Sequence, residues 1–518
     1  MLYRFQLLPL FCVSAIGSFA QLTLLDPTFG NNGTLLQGLS GFGGDQAEDV
    51  VIQPDGRIVV VGKRGGVEEV MVVLRLLENG TLDNSFSGNG VAAVGIGVNA
   101  EGRAVALQSD GSFVVAGSAE FPGGAFDEIA LVRLGSDGEL DPSFADNGVF
   151  TYSQPGATDA LLALAVQPNG RILGAGVFDG VVSDMMAVRL TADGDLDPEF
   201  ASGGIFNTDL QTGEVAEAVL LRPDGRILLG GAWRLTFPDA DMAMVQLTAS
   251  GEFDTSFCDS GLFRPSEANS VSSVVSLVEA ENGRVLIAGK RWMPGGNPEE
   301  IFTGRVMPDG SWDPTYGTDG RSFLPLGSGY HGSVRDMVLL PGGKALVTVD
   351  ALDGGNTSSI IVLRVLPDGG LDPAFGTAGR VMIPCPGTGC NVRSLALDVQ
   401  GRVIAVGSYG SIDGTEVMVM RWLAEASPVG QVGTEAQEIF RVYPVPASDV
   451  LQLDVPTEWL IGARCELTDP CGRLVAMFSP ASMASRRLEL PSSLADGRYV
   501  LRLVSASRVL STAVSVLR

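Results

Sequence analysis

Between residues 21 and 424 the chain is a succession of short apolar runs broken by Gly, Pro, Asp and Asn, with no sustained 3.6-residue period. Asp49-Val50-Val51-Ile52 and Ile58-Val59-Val60-Val61 are typical runs, separated by Gln53-Pro54-Asp55-Gly56-Arg57. In the opening stretch the runs fall near residues 34–38, 47–53, 57–63 and 70–77. Asp-Gly and Asn-Gly between such runs predict two-residue hairpin turns with both central residues at positive φ.

The runs repeat with a fixed period. Leu140-Asp141-Pro142-Ser143-Phe144 has kin whose aspartates are Asp26, Asp83, Asp197, Asp254, Asp313 and Asp372. Successive separations along the series are 57, 58, 56, 57, 59 and 59 residues. Regularity of this kind marks a repeat architecture that forms one domain. Four antiparallel strands per unit, repeated seven times, predict an all-β fold whose main part is a seven-bladed β-propeller. A solenoid of the same units is the alternative; it would want polar caps at both ends, and none is visible.

A second spacing favours a ring. Arg75, Arg133, Arg189, Arg305 and Arg364 each precede the aspartate of the next Leu-Asp-x-x-Phe motif by 8 residues, and Gln246 holds the same place before Asp254. Arg421 has no such aspartate after it, and Asp26 has no arginine before it. Docking of Asp26 beside Arg421 would close the ring. Each Asp is expected to cap its turn, braced by the arginine, while the Phe plugs the gap between blades.

Charge and rare residues narrow the function. Lys+Arg 34 against Asp+Glu 60 gives a net charge of −26, which argues against nucleic acid and anionic membrane surfaces as partners. The single histidine, His331, lies in a loop outside the repeat consensus, so a Ser-His-Asp triad or a two-histidine zinc site has little to draw on. Carboxylate-only chemistry stays open, with Glu299, Glu300, Asp239 and Asp241 as the off-consensus acids. The acidic blocks at 137–141, 193–197 and 309–313 sit where turns want Asp, with calcium as the competing reading. No catalytic, cofactor-binding or metal-binding residue is assigned.

The ends of the chain speak to destination. Residues 1–20 read as a signal peptide, with Arg4, an apolar run from Leu7 to Ile16, and Ser18-Phe19-Ala20 before the cut. No later stretch is apolar for long enough to be a transmembrane segment. Residues 425–440 read as a linker, and 441–518 as a small β-sandwich of alternating strands. Five cysteines follow the signal peptide. Cys385 and Cys390 could pair across a Pro-Gly-Thr-Gly loop, and Cys465 and Cys471 across a turn, leaving Cys258 alone.

The Gln-Pro-Asp-Gly-Arg-Ile and Leu-Asp-Pro-Ser-Phe signatures together resemble the delta-60 repeat, a bacterial β-propeller-like family without a settled activity; the resemblance covers nearly all of 25–424. The tail resembles the C-terminal sorting domain of the type IX secretion system. The matching residues are Val442-Tyr443-Pro444-Val445-Pro446-Ala447, Asp469-Pro470-Cys471-Gly472-Arg473-Leu474-Val475 and Leu494-Ala495-Asp496-Gly497-Arg498-Tyr499-Val500-Leu501. Tyr443, Pro444, Pro446, Gly472, Gly497 and Tyr499 carry the motif; Val445 stands where the family more often has Asn. The resemblance implies a Gram-negative bacterium, passage through the periplasm, recognition by the type IX machinery, and a product that is secreted or held at the cell surface. These features together lead to an exported, non-enzymatic binding or adhesion module for an extracellular glycan or protein. A carboxylate-based polysaccharide hydrolase or lyase is the alternative.

Overall fold

The computed structural model describes residues 24–423 apart from 40–43, 124–125, 155, 181, 209–212, 237–238, 259, 266–270, 293–299, 328, 356, 386–388 and 412–413. Beyond them it describes 441–443, 450–454, 464–468, 474–478, 486–494, 497–504 and 509–516. The chain divides into two compact units, Met1–Pro428 and Val429–Arg518. The signal peptide and linker expected from the sequence lie outside the described residues.

The first unit consists of propeller-like repeats of four-stranded antiparallel sheets. Gln46–Ile52, Ile58–Arg64, Val70–Leu76 and Val91–Val94 pair in chain order. The pattern recurs from Asn99–Leu107 to Val149–Tyr152, from Thr158–Val166 to Ile205–Asn207, and from His331–Leu339 to Arg380–Pro384. The groups that start at Gly213–Leu221 and Val271–Glu279 are joined into one sheet by a parallel pairing of Ala240 with Val271. In the last group Gly389–Leu397, Arg402–Ser411 and Gly414–Leu423 take their fourth strand from the other end of the unit, where Thr34–Gln37 pairs with Met420–Val417.

Sequence repeat and sheet are therefore one strand out of phase. The run at 34–38 does not share a sheet with 47–53, 57–63 and 70–77, as its place in the sequence unit suggests; it completes the last sheet. The first strands of successive sheets touch in cyclic order, and Gly389–Leu397 returns to contact Gln46–Ile52.

The strand sequences follow from this layering. The middle strands are covered on both faces, so they read as unbroken apolar runs, such as the buried stretch Ile58-Val59-Val60-Val61. Val59, Val61, Met71 and Val73 pack against Ala100, Val105, Phe113 and Val115 of the next sheet. Each fully buried Val or Leu contributes roughly 1.5–3 kcal/mol.

The hairpin turns differ from expectation. Gly56 is at φ 87°, but Asp55 is not at positive φ. Gln53 N–H donates to Arg57 O, Gly56 N–H to Gln53 O, and Arg57 N–H to Asp55 Oδ1. The loop thus has three residues, Pro54-Asp55-Gly56, with a single left-handed glycine. Pro54 fixes its own φ and Asp55 caps the turn with its side chain, so only one residue needs the left-handed region.

The outer loops carry a repeated clip. Arg75, Arg133, Arg189, Arg305, Arg364 and Arg421 donate Nε to Asp83, Asp141, Asp197, Asp313, Asp372 and Asp26 at 2.7–2.9 Å. Gln246 Nε2 meets Asp254 at 2.8 Å. The other carboxylate oxygen of Asp83 accepts from the backbone and hydroxyl of Ser85. Arg75 Nη1 reaches Ser136 O in the loop of the following sheet, and Arg133, Arg189, Arg305 and Arg421 reach Ala192, Ala249, Pro367 and Glu78 in the same way. The guanidinium carbons of these arginines and Arg364 lie 4.6–4.9 Å from the centroids of Phe86, Phe144, Phe200, Tyr316, Phe375 and Phe29.

Those rings plug the gap to the next sheet. A methyl at Gly138, φ 90°, would sit 2.8 Å from the Phe86 ring, and one at Gly80, φ 85°, 2.8 Å from Phe29. A second cation from the hairpin turn joins most clips: Arg57, Arg171, Arg226, Arg284 and Lys344 lie 2.7–3.2 Å from Asp83, Asp197, Asp254, Asp313 and Asp372.

The second unit has two described sheets. One orders Arg441–Tyr443, Val450–Asp454 and Arg487–Glu489; the other orders Leu474–Phe478, Arg464–Thr468, Gly497–Val504 and Val509–Val516. They share one core that includes Leu451, Leu467, Leu488, Tyr499, Leu501 and Val514. Among the described residues no helix is long and apolar enough to cross a membrane.

Candidate functional site

In the first unit, the first strand of each of the seven strand groups breaks its pairing register at one point. The residues left over by these bulges are Glu48, Arg103, Leu162, Glu217, Val275, Arg335 and Arg393. Each stands five positions before the residue whose amide opens the hairpin turn, such as Glu48 before Gln53 and Arg393 before Asp398. A bulge places an extra residue in one strand and re-aims its side chain. All of them line one cavity of about 390 Å³, walled by the first strand of every sheet and therefore axial. That volume suits a small ligand.

The wall is uneven. In ring order Arg335, Arg393, Glu48 and Arg103 form a charged arc, and Leu162, Glu217 and Val275 form the arc opposite. Arg335 donates Nε to Asp350 at 2.7 Å, Arg103 lies 2.9 Å from Glu101, and Arg393 is 3.6 Å from Glu48. Glu217 accepts from Ser273 Oγ at 2.6 Å.

Beside the arc lies a chain of half-buried acids that also line the cavity. Ser394 Oγ is 2.7 Å from Asp49 Oδ1 and 3.4 Å from Asp336 Oδ2, while Ser276 Oγ is 2.9 Å from Asp336 Oδ1. Asp49 also accepts the Val105 amide of the next sheet, and Asp336 the Leu395 amide. These bonds stitch neighbouring first strands together. Burial pushes the Asp49 carboxyl up to about 6 against the hydrogen bonds from Ser394, Val105 and Val50, and the charge of Asp336 adds to the rise. Burial likewise raises Asp336, against its hydrogen bonds from Leu395, Met337, Ser276 and Ser394. Glu48 and Asp350 are also raised by burial, with Arg393 and Arg335 respectively opposing.

The residues singled out from sequence lie elsewhere. The Asp and Arg series forms the outer clips, not the cavity. His331 is exposed at the start of its strand. Glu300 pairs with Arg291, and Asp241 is buried. Glu299, and the side chain of Asp239, lie outside the described residues. Among the described residues no cluster of three or more His, Cys, Asp or Glu could hold a metal ion.

Cys385 and Cys390 form a disulfide with Cα atoms 5.4 Å apart, and Cys258 Sγ donates to Gly310 O at 3.2 Å. The expected partnership of Cys465 is corrected: it is a free thiol buried in the core of the second unit, and burial pushes it up to about 12. Cys465 faces inward among Leu467 and Leu501, an apolar setting that keeps the thiol protonated. Cys471, Pro444, Pro446 and Gly472 lie outside the described residues, as does the side chain of Tyr443. Gly497 opens a strand, and Tyr499 is buried in the core.

A family model described as a domain of unknown function (DUF5122) beta-propeller matches residues 53–86, 108–144, 167–200 and 222–257. The matched segments run from the hairpin turn, Asp-Gly-Arg at 55–57 and 224–226, through the clip arginine or glutamine to the Asp-x-x-Phe loop. These are β-propeller repeats. No curated protein matches the chain. Among solved structures, a protein of unknown function from Dyadobacter fermentans is similar at 11% identity and TM-score 0.43, over 78% of this chain and 100% of that one. The propeller domain of the Trilobed protease from Pyrococcus furiosus is similar at 9% identity and TM-score 0.39, over 76% and 98%. An alpha-L-arabinanase from Penicillium chrysogenum, complexed with arabinobiose, is similar at 11% identity and TM-score 0.39, over 61% and 92%. None is near enough to carry an activity across.

Two opposed pH limbs follow from the buried acids. Burial pushes Asp254 and Asp313 up, but hydrogen bonds from Ser256, Gln246 and Arg226, and from Thr315 and Arg305, outweigh it and hold both at about 2. Their unfolded value is near 3.9, so they bind fewer protons when folded, and stability is lost as pH falls from about 4 to about 2. Asp49 binds more protons when folded, so its contribution declines as pH rises from about 4 to about 6. Denaturant midpoints measured from pH 2 to 7 should rise and then sag, and Asp49→Asn should flatten the second limb while leaving the first. An unchanged second limb in that variant would refute the assignment.

Proposed function

We propose that this chain is an exported, non-enzymatic binding protein whose main domain is a seven-bladed β-propeller and whose axial cavity takes the ligand. The observation that carries this reading is the ring of bulges. Every first strand spends one residue out of register to present a side chain to the axis, and those side chains depart from one another where the rest of the repeat agrees. Structural repetition does not require four residue types, two of them charged, at one level; a binding wall does. The cyclic contact of the first strands and the pairing of Thr34–Gln37 with the final sheet support the blade count and the closed ring.

A panel of soluble polysaccharides, glycans and extracellular proteins tests the reading on the purified protein. Ala163 lines the cavity, and Ala163→Trp would fill it. Binding without loss of polymer length, abolished by Ala163→Trp in a folded protein, is the expected result. Shortened polymer, or binding indifferent to the plug, would overturn it.

The delta-60 resemblance of the repeats fits a binding role without a set chemistry. Delivery belongs to the same proposal: residues 1–20 act as a signal peptide, and residues 441–518 form a sandwich that serves as a type IX sorting domain. Two sheets around one core are consistent with that part. Removal of 441–518 should strand the protein in the periplasm of a host that carries a type IX system, as read by cell fractionation; unaltered export would refute the sorting role.

A further inference from the structure

Two sets of arginines in the first unit contrast in how they use their donors. Clip arginines spend their guanidinium on protein acceptors. Arg75 uses Nε on Asp83, Nη1 on Ser136 O and Nη2 on Ser85 Oγ, with 6% of its side chain exposed. Arg421 does the same with Asp26, Glu78 O and Thr28 Oγ1, with 3% exposed.

The three axial arginines are different. Arg335 spends Nε on Asp350, Arg103 makes one close approach to Glu101, and Arg393 stands beyond hydrogen-bond length from Glu48. Their side chains remain 32%, 36% and 34% exposed, and all three line the cavity. A guanidinium offers five N–H donors in a planar fork that matches a carboxylate. Here an acid beside each of Arg103 and Arg335 holds the group in place while a third of the side chain stays open to the axis.

None of the three belongs to the repeat signature, and all cluster on one arc, in a chain of net charge −26. The opposite arc supplies complementary surface: Leu162 and Val275 are aliphatic walls, and Glu217 between them is an acceptor for hydroxyl groups.

We propose that the axial cavity binds a small hydroxycarboxylate, or a uronate-like residue of a larger glycan, with the carboxylate on Arg103, Arg335 and Arg393 and the hydroxyl-bearing side toward Glu217. The proposal rests on the binding reading above and deepens it. Glu48, Asp49 and Asp336 line the same cavity, so a second carboxylate on the ligand would meet like charge.

Calorimetric titration of the purified protein with galacturonate and with galactose, its neutral counterpart, tests this. Galacturonate should bind and galactose should not. Affinity should fall about tenfold or more in Arg335→Gln and in Arg393→Gln, and should weaken as salt rises. Arg103→Gln gives a third, independent variant should either of the others fail to fold, which circular dichroism would show. Equal binding of both sugars would overturn the carboxylate assignment while leaving a cavity that binds. So would failure of galacturonate where another ligand from the panel binds and is blocked by Ala163→Trp. Failure of galacturonate and of the whole panel would overturn both readings.

Discussion

Each outer loop is organised by an aspartate, buried in all but the half-buried Asp141, that must stay ionised. Its carboxylate is drawn away from water, so it needs several donors, and the sequence supplies them from the loop itself, the strand before it and, in most loops, the neighbouring hairpin turn. The arginine that answers it then has donors left over, and spends one on the backbone of the next sheet. One charge thereby fixes the loop, the strand and the inter-sheet angle. Breaking a buried pair of this kind costs about 3–5 kcal/mol, because the surviving charge is left unpaired. The repeat period is the sequence record of that requirement.

The same requirement joins the two ends of the first unit. Asp26 and Arg421 lie at opposite ends of the repeats yet have the geometry of the internal pairs, down to the ring of Phe29 beneath the guanidinium and the contact with Glu78 O. Thr34–Gln37 follows Asp26 into the last sheet because the loop that holds Asp26 aims it there. Sheets and sequence repeats being one strand out of phase is what lets a single short strand tie both ends together.

Much of this was legible in the sequence. The 8-residue spacing named the clip partners, and the odd Asp26 and Arg421 named each other. The apolar runs placed the strands. Three things were not legible. The second cation, Arg57 and its equivalents, was hidden because its role as a turn residue already explained it. The phase of the sheets was hidden because a repeat has no intrinsic start. The axial ring was hidden because a bulge breaks period-two alternation by one residue, which reads as noise in a single strand and becomes a signal only when Glu48, Arg103, Leu162, Glu217, Val275, Arg335 and Arg393 are aligned on their turns. Cys465 shows the converse error: a short loop between two cysteines suggested a bridge, but strand alternation turns Cys465 into the core.

The measurement that bears most directly on the account is a double-mutant cycle on Asp26 and Arg421, run beside the same cycle on Asp83 and Arg75. Asp→Asn and Arg→Gln, singly and together, would be read by denaturant unfolding of the whole protein. A closed ring predicts a coupling energy of at least about 1 kcal/mol for the terminal pair, matching the internal pair within about 0.5 kcal/mol. Coupling near zero for Asp26 and Arg421, with normal coupling for Asp83 and Arg75, would contradict closure and with it the axial cavity that closure creates.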